Sequence, residues 1–235
     1  SLGKFAKYDD HGAYHWEECD SNGPLRRYNP ALVARYQLVI EQVPPGQRVL
    51  DVGCGDGYLM SRLADHAKEV IGVEPEKTAV EIARKLLVEK GNCTVMHGSA
   101  YELPIGDHSV DFATFTDVVE HLDDPTLALR EISRVLRPGG KMILTTPKWR
   151  ENWVWDKYHV QEFSPTELTD LVEHHFDIDD MTFFWPLNWC DRNRTRWGWW
   201  FNKMVGKWVF NPFLAKGKDQ ERFGQTLVVA TKAQR

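Results

Sequence analysis

The stretch Val49-Leu50-Asp51-Val52-Gly53-Cys54-Gly55-Asp56-Gly57 decides the fold of this 235-residue chain. The apolar run Arg48–Val52 ends in three closely spaced glycines and leads into a helical pattern from Tyr58, which reads as a buried strand turning into a helix. Glycines at such a turn admit unusual backbone angles and let a ligand approach the main chain without a Cβ in the way. Glu74 closes the next apolar run, at roughly the 20-residue spacing at which a carboxylate meets a ribose. The third glycine comes one residue early for the dinucleotide pattern GxGxxG. Asp51 and Asp56 also put negative charge where a pyrophosphate would sit at the helix start. The loop therefore disfavours a dinucleotide and suits a nucleoside that carries positive groups and no phosphate.

Outward from this loop the chain alternates strand and helix. Tyr58–His66 reads as helix, Glu69–Val73 as strand, Lys77–Lys90 as an amphipathic helix ended by Gly91, and Thr94–His97 and Val110–Phe115 as strands. Thr126–Leu136 follows as helix, stopped by Pro138-Gly139-Gly140, and Lys141–Thr145 as a fifth strand. Before the loop, Asn29-Pro30 opens a helix through Ile40, which Pro44-Pro45-Gly46 ends. After Pro147 the rhythm breaks. Ser164-Pro165-Thr166-Glu167 is a capping box that opens a helix to about His174. Phe176–Phe184 and Gln225–Thr231 are two late strands, expected to form an antiparallel hairpin at one sheet edge. The expected fold is α/β, doubly wound and Rossmann-like, with a mostly parallel seven-stranded sheet, an N-terminal arm and an aromatic-rich insertion before the last strand. One domain over 1–235 is expected: arm and helix 1–45, cofactor-binding core 46–147, substrate-side segments 148–235. The arm, 1–29, is polar with interspersed aromatics (Phe5, Tyr8, Tyr14, Trp16, Tyr28) and reads as a lid.

Composition bounds the function. The formal net charge is −5 and the isoelectric point is about 6.0, which argues against a nucleic-acid binder at the level of the whole chain. Cys19, Cys54, Cys93 and Cys190 form no CxxC pair or zinc spacing, so neither a disulfide framework nor a zinc site is expected. No apolar run reaches the roughly 18–20 residues of a spanning helix, and no signal peptide opens the chain, so a cytoplasmic location is expected.

Several segments together carry a family resemblance: VLDVGCGDG, VIGVEP, the ELP of GSAYELP, VDFATFTDVVEHLDDP, EISRVLRPGGKMILTTP and HVQEFSPTEL. In this order and spacing, over about residues 48–175, the chain resembles the class I S-adenosylmethionine-dependent methyltransferases, in the group with ubiquinone-biosynthesis and related small-molecule enzymes. The resemblance implies S-adenosyl-L-methionine as cofactor and S-adenosyl-L-homocysteine as product. It places Gly53 and Gly55 at the methionine part of the cofactor with Asp51 nearby, Glu74 on the ribose hydroxyls and Pro75 beside the adenine. Ala100 and Tyr101 border the adenine, and Thr116 lines the methionine end. Ser99 stands where the family often has aspartate, so its hydroxyl or a backbone group takes over the bond to the adenine amino group.

Methyl transfer is an in-line displacement, and a base is needed only when the acceptor must lose a proton. His121 and His159 are the candidate bases, because each lies after a strand's carboxyl end and imidazole titrates near neutral pH. Three uses of this region compete. The pair Glu120-His121 caps a loop, a histidine is the base, or Glu120, His121 and His159 hold a divalent metal, as the likeness to small-RNA 3′-end methyltransferases implies. The first two outweigh the metal. The expected reaction is transfer to oxygen, less readily nitrogen or carbon, of a small or lipid-like acceptor. The alternatives are a metal-assisted RNA 3′-end methyltransferase and a cofactor-binding regulatory or partner protein without turnover.

Six of the ten tryptophans (Trp185, Trp189, Trp197, Trp199, Trp200, Trp208) fall in one late segment. From Arg192 to Lys218 it threads basic residues among aromatics. Four uses compete for it: a homodimer interface or satellite core, a substrate lid, a peripheral membrane contact through 192–218, and nucleic acid, which the acidic balance disfavours. Tyr14, His15, Trp149, Trp153 and Trp199 are the candidate substrate contacts.

Overall fold

A computed structural model describes residues 7–233. Phe5, one of the aromatics assigned to the arm, lies outside the described residues. The elements in order are α1 (Lys7–His11), α2 (Tyr14–Cys19), α3 (Pro30–Ile40), β1 (Arg48–Val52), α4 (Tyr58–Leu63), β2 (Glu69–Glu74), α5 (Lys77–Leu86), β3 (Cys93–His97) and β4 (Val110–Thr116). There follow α6 (Pro125–Val135), β5 (Leu136–Pro147), α7 (Pro165–Val172), β6 (Phe176–Pro186), α8 (Leu187–Arg192), α9 (Arg196–Trp208), β7 (Lys216–Gly217) and β8 (Phe223–Lys232).

The strands form one sheet in the order β3-β2-β1-β4-β5-β8-β6-β7. β1 to β5 pair in parallel, whereas β8 runs antiparallel between β5 and β6. The expected hairpin at one edge is present, and the two-residue β7 adds an eighth strand to the expected seven. The order reverses between β1 and β4, and the crevice above such a reversal is where open α/β sheets place their ligands.

Local chemistry sets the helix starts. Asn29 caps α3 by accepting from Leu32 N at 3.3 Å. Asp124 caps α6 through Thr126 N and Leu127 N, and the Ser164–Glu167 capping box opens α7. Caps of this kind are worth about 1 kcal/mol each. α6 buries Ala128, Leu129, Ile132 and Val135 in the core on one face of the sheet. α3, α4 and α5 cover the other face, where Tyr36, Val39, Met60, Leu63 and Ala83 pack with Val49 and Val70. Each large aliphatic side chain so buried contributes about 1.5–3 kcal/mol.

Three boundaries differ from the sequence reading by three residues or more. α4 and α5 end at Leu63 and Leu86, short of His66 and Lys90. Pro138-Gly139-Gly140 does not separate helix from strand. β5 already pairs at Leu136 with Val110, and the register shifts before Lys141 meets Phe112, so the Pro-Gly-Gly run is taken up as a bulge with Gly139 at φ +76°.

Candidate active site

The glycine loop is held open from beneath. Glu74, at the end of β2, accepts from Gly55 N and Glu76 N, both at 2.9 Å. Asp51 is buried on β1 and accepts from the Thr114 hydroxyl at 2.7 Å. Burial pushes the Asp51 carboxyl up to about 7, with the Thr114 bond opposing the shift. Burial also raises Glu74, against the two backbone N–H groups that favour its charged form. Gly53 and Gly55 have φ of +75° and +53°, and a Cβ at either would run into Val118 or the Tyr8 hydroxyl.

Above this loop lies a cavity of 610 Å³. Asp51, Glu74, Glu76, Asp117, Glu120, Asp123 and Asp156 give it a strongly acidic lining, and Arg35 is the one Lys or Arg among the described residues that line it. The arm forms its roof. Tyr8 is buried against Gly55, and His15 is fixed to Asp56 twice, through its backbone N–H and through Nδ1, both at 3.0 Å. Trp16 Nε1 donates to Asp56 O at 2.9 Å. Tyr14 stacks on His15 with ring centroids 3.9 Å apart.

At the carboxyl end of β4 the chain turns through Asp117, which has φ +51°. Asp117 accepts from the Thr145 hydroxyl at 2.7 Å and pairs with Arg35 at 2.6 Å. Glu120 follows on a short 3-10 turn and is fully buried. Its Oε2 accepts from the Thr146 hydroxyl at 3.0 Å, while Oε1 has no hydrogen-bond partner. Burial first, and then the Asp117 charge, holds its carboxyl well above the usual range. His121 Nδ1 lies 3.1 Å from Tyr158 O, and His159 Nδ1 lies 2.8 Å from Glu162 Oε1. The Tyr158 carbonyl and the Glu162 oxygen are both acceptors for an imidazole N–H, so each Nδ1 is the donating nitrogen and, in the neutral tautomer, Nε2 is the one with the lone pair. The two rings meet edge to face at 5.0 Å, and one donor atom from each of Glu120, His121 and His159 falls within 4.8 Å of the others.

Two further cavities adjoin the first. One, of 660 Å³, lies among α2, α3 and α9; Arg26, Asn29, Trp199, Asn202 and Lys203 line it, and it shares Tyr14, His15, Arg35 and Trp185 with the first. The other, of 240 Å³, is lined by Trp153, Trp155, Cys190 and Phe213. Trp185 lines all three cavities and has φ +62°, an outlier for so bulky a residue. Lys203 is buried with its ammonium 3.8 Å over the Trp199 ring and donates to Arg26 O at 2.7 Å; loss of hydration lowers it to about 8.

The residues expected from sequence divide accordingly. Asp51, Gly53, Gly55, Glu74, Pro75, Tyr101, Thr116, His121 and His159 all line the first cavity, and Tyr14 and His15 line the first and second. Trp199 lines the second and Trp153 the third. Ser99 and Ala100 are not among the lining residues; the Ser99 hydroxyl instead accepts from Tyr101 N at 3.2 Å. Trp149 lines none of the three and is 52% exposed. The sequence reading missed Arg35, Trp185, Lys203 and Glu162. Arg35 left a faint signal as a cation three residues from Leu32 on an otherwise apolar helix face. Glu162 left another, three residues after His159.

Residues 50–144 match the family model described as a methyltransferase domain. A protein of Mycolicibacterium smegmatis, named a probable S-adenosylmethionine-dependent methyltransferase, is 33% identical over 155 residues, which is 62% of this chain and 59% of that protein. A ubiquinone biosynthesis O-methyltransferase of Vibrio cholerae is 30% identical over 144 residues, covering 60% of this chain and 58% of the relative. The chain thus spans less than two thirds of the length of these relatives. A SAM-dependent methyltransferase of Aquifex aeolicus shares the fold with a TM-score of 0.62 at 18% identity, over 87% of this chain and 94% of that one. So does the [4+2]-cyclase SpnF, with a TM-score of 0.66 at 22% identity, over 91% and 85%. The matched stretch, with the glycine loop, Glu74 and the turn through Asp117 to His121, is similar to the methyltransferase domain of S-adenosylmethionine-dependent enzymes. The cofactor of that family is S-adenosylmethionine.

Proposed function

We propose that this chain transfers a methyl group from S-adenosylmethionine to an oxygen of a small or lipid-like acceptor seated in the 660 Å³ cavity. One observation carries the reading. Buried polar atoms without a hydrogen-bond partner belong to residues that line the joined cavities: Arg35 Nε, Glu76 Oε1 and Oε2, Thr116 Oγ1 and Glu120 Oε1 in the first, Asn202 Oδ1 in the second and Trp153 Nε1 in the third. Leaving such atoms unpaired costs about 1–3 kcal/mol each, which rearrangement of these side chains around a bound ligand would recover.

The first cavity fits the cofactor by charge. Its acidic walls suit a sulfonium and an ammonium, and Arg35 is the group there to receive a carboxylate. Glu74 would take the ribose hydroxyls, and Pro75 and Tyr101 would border the adenine, all three being residues that line this cavity. When bound, the cofactor supplies a methyl carried on positive sulfur. His159 Nε2, with Nδ1 held by Glu162, would take the proton of an acceptor hydroxyl that reaches from the second cavity into the first. In the second cavity Asn202 Oδ1 calls for a donor and Lys203 for an anionic group, while Trp199 and Phe213 take an apolar body.

A second reading has support of its own: Glu120, His121 and His159 hold a divalent cation that polarises the acceptor. The Glu120 oxygen without a partner and the 4.8 Å grouping favour it. Calorimetric titration with S-adenosylhomocysteine, followed by transfer of labelled methyl to a panel of hydroxylated acceptors, tests the main reading. Cofactor binding without transfer across the panel would favour a regulatory or partner protein, a real rival because the fold is shared with a cyclase. Activity abolished by EDTA and restored by a divalent cation would favour the metal.

A further inference from the structure

Helix α9 is built inside out. Its inward face buries polar residues: Asn202 is 1% exposed and Lys203 6%, and Gly206 packs against Pro30. Its outward face carries Trp197, Phe201, Met204 and Trp208, exposed by 86, 42, 43 and 64%. The spacing of i, i+4, i+7 and i+11 makes a single stripe along the helix. Val209 and Phe210 extend it past the helix end, and both are also exposed. A monomer in water gains nothing from such a stripe, since each large apolar side chain left exposed forgoes about 1.5–3 kcal/mol of burial.

Charge identifies what covers it. From Arg192 to Lys218 there are seven lysines and arginines and no aspartate or glutamate, in a chain whose formal charge is −5. Lys203 faces inward and Lys216 and Lys218 pair with Glu41 and Asp180, so the charge beside the stripe comes from the exposed Arg192, Arg194 and Arg196, at and just before the start of α9. Arg196 opens the helix beside Trp197, and Arg192 lies 5.5 Å from the Phe201 ring. A second copy meeting the same face would bring these cations together, which is repulsive. The face is also a convex helix, and grooves are what dock peptides. Tryptophan at both ends of an apolar stripe, with cations beside it and acids absent, matches the composition of a helix lying in the headgroup plane of an anionic bilayer. The thirteen residues of α9 span about 20 Å and are too few to cross a membrane. No described helix is long and apolar enough to do so.

We propose that the outer face of α9 docks on an anionic lipid surface. Its inner face, with Trp199, Asn202 and Lys203, then walls the second cavity beside the membrane. This docking stands whether or not the chain transfers methyl groups.

The test is co-sedimentation with vesicles of phosphatidylcholine alone and of phosphatidylcholine with one quarter phosphatidylglycerol, at about 0.1 M and 0.5 M NaCl. The protein should partition onto the anionic vesicles about tenfold more strongly, and the higher salt should weaken this. Replacing Trp197, Phe201 and Trp208 together by serine should lower the partition about tenfold or more, with S-adenosylhomocysteine affinity unchanged because none of the three lines a cavity. Arg196→Gln should weaken binding to anionic vesicles alone. If the triple variant loses the homocysteine ligand as well, Trp197→Ser alone decides, with about a threefold drop in partition expected. Absence of vesicle binding, or binding indifferent to the serines, overturns the proposal. So does a concentration-dependent dimer that the serines dissolve, which would give the face to a second copy. A failed cofactor titration with intact vesicle binding would sink the methyltransferase reading and leave the docking standing.

Discussion

Arg35 and Asp117 face each other at 2.6 Å where the cofactor cavity meets its neighbour, with side chains only 14 and 15% exposed. The pair joins α3 to the end of β4, the two sides of the crevice. Asp117 stands there with positive φ, a strain of about 1–3 kcal/mol that its bonds to Arg35 and Thr145 offset.

Removing the guanidinium should be felt twice. Arg35→Met leaves Asp117 half-buried and uncompensated, and it removes the positive group proposed to meet the cofactor carboxylate. Affinity for S-adenosylhomocysteine is expected to fall about 10–100-fold, and the unfolding temperature should drop by several degrees. Calorimetry and a thermal melt measure both. Full affinity in Arg35→Met would remove Arg35 from the cofactor site.

Asp56 holds the arm over the glycine loop by receiving His15 twice. Asp56→Ala should free residues near α1 and α2 for limited proteolysis and raise the KM for the cofactor about tenfold, with less effect on kcat. An arm as resistant as in the wild type would show that the Trp16 contact and Tyr8 burial suffice.

The buried Asp51 makes stability depend on pH. Its value of about 7 lies above the unfolded value of about 3.9. Its contribution is therefore complete below about pH 4 and lost as pH rises through about 7. Between about pH 4 and 7 the wild type should lose stability relative to Asp51→Asn, which cannot ionise. A bound ammonium beside Asp51 favours the carboxylate, so affinity for S-adenosylhomocysteine should rise as pH approaches about 7 and stay flatter in the variant. Parallel curves for the two proteins would contradict this.

His159→Ala should lower kcat about 10²–10⁴-fold and leave homocysteine binding intact, and Glu162→Gln should lower it less while shifting the pH–rate profile. EDTA should have no effect if His159 acts as base alone. Equal kcat in wild type and His159→Ala would remove the histidine from the chemistry.

The sheet could be read because its strands are buried on both faces, and the apolar runs, glycine stops and proline caps therefore coincide with its boundaries. Part of the lining of the first cavity could be read for the same reason: Asp51, Gly53, Gly55 and Glu74 sit where strands end. Arg35 could not, because its partner is the turn residue after β4, 82 positions away in the numbering of the sequence, and only folding brings them together. Lys203 was hidden more thoroughly. A lysine among tryptophans reads as solvated, yet α9 turns it inward and leaves Trp197 outside. The usual rule of apolar inside and polar outside points the wrong way in that one helix.

The register of the late hairpin has a further consequence. Pro186 and Phe223 are paired neighbours on β6 and β8, so the chain leaves the sheet and returns to it at a single doorway. Closing a loop at such a doorway depends only weakly on its length. The part of that segment from α8 through α9, before β7 rejoins β6, can therefore be lengthened, shortened or exchanged as a cartridge while the sheet keeps its pairing. If the proposed acceptor cavity and lipid docking hold, grafting a foreign segment there would transplant acceptor choice and membrane contact together, because the proposals assign them to the two sides of one helix.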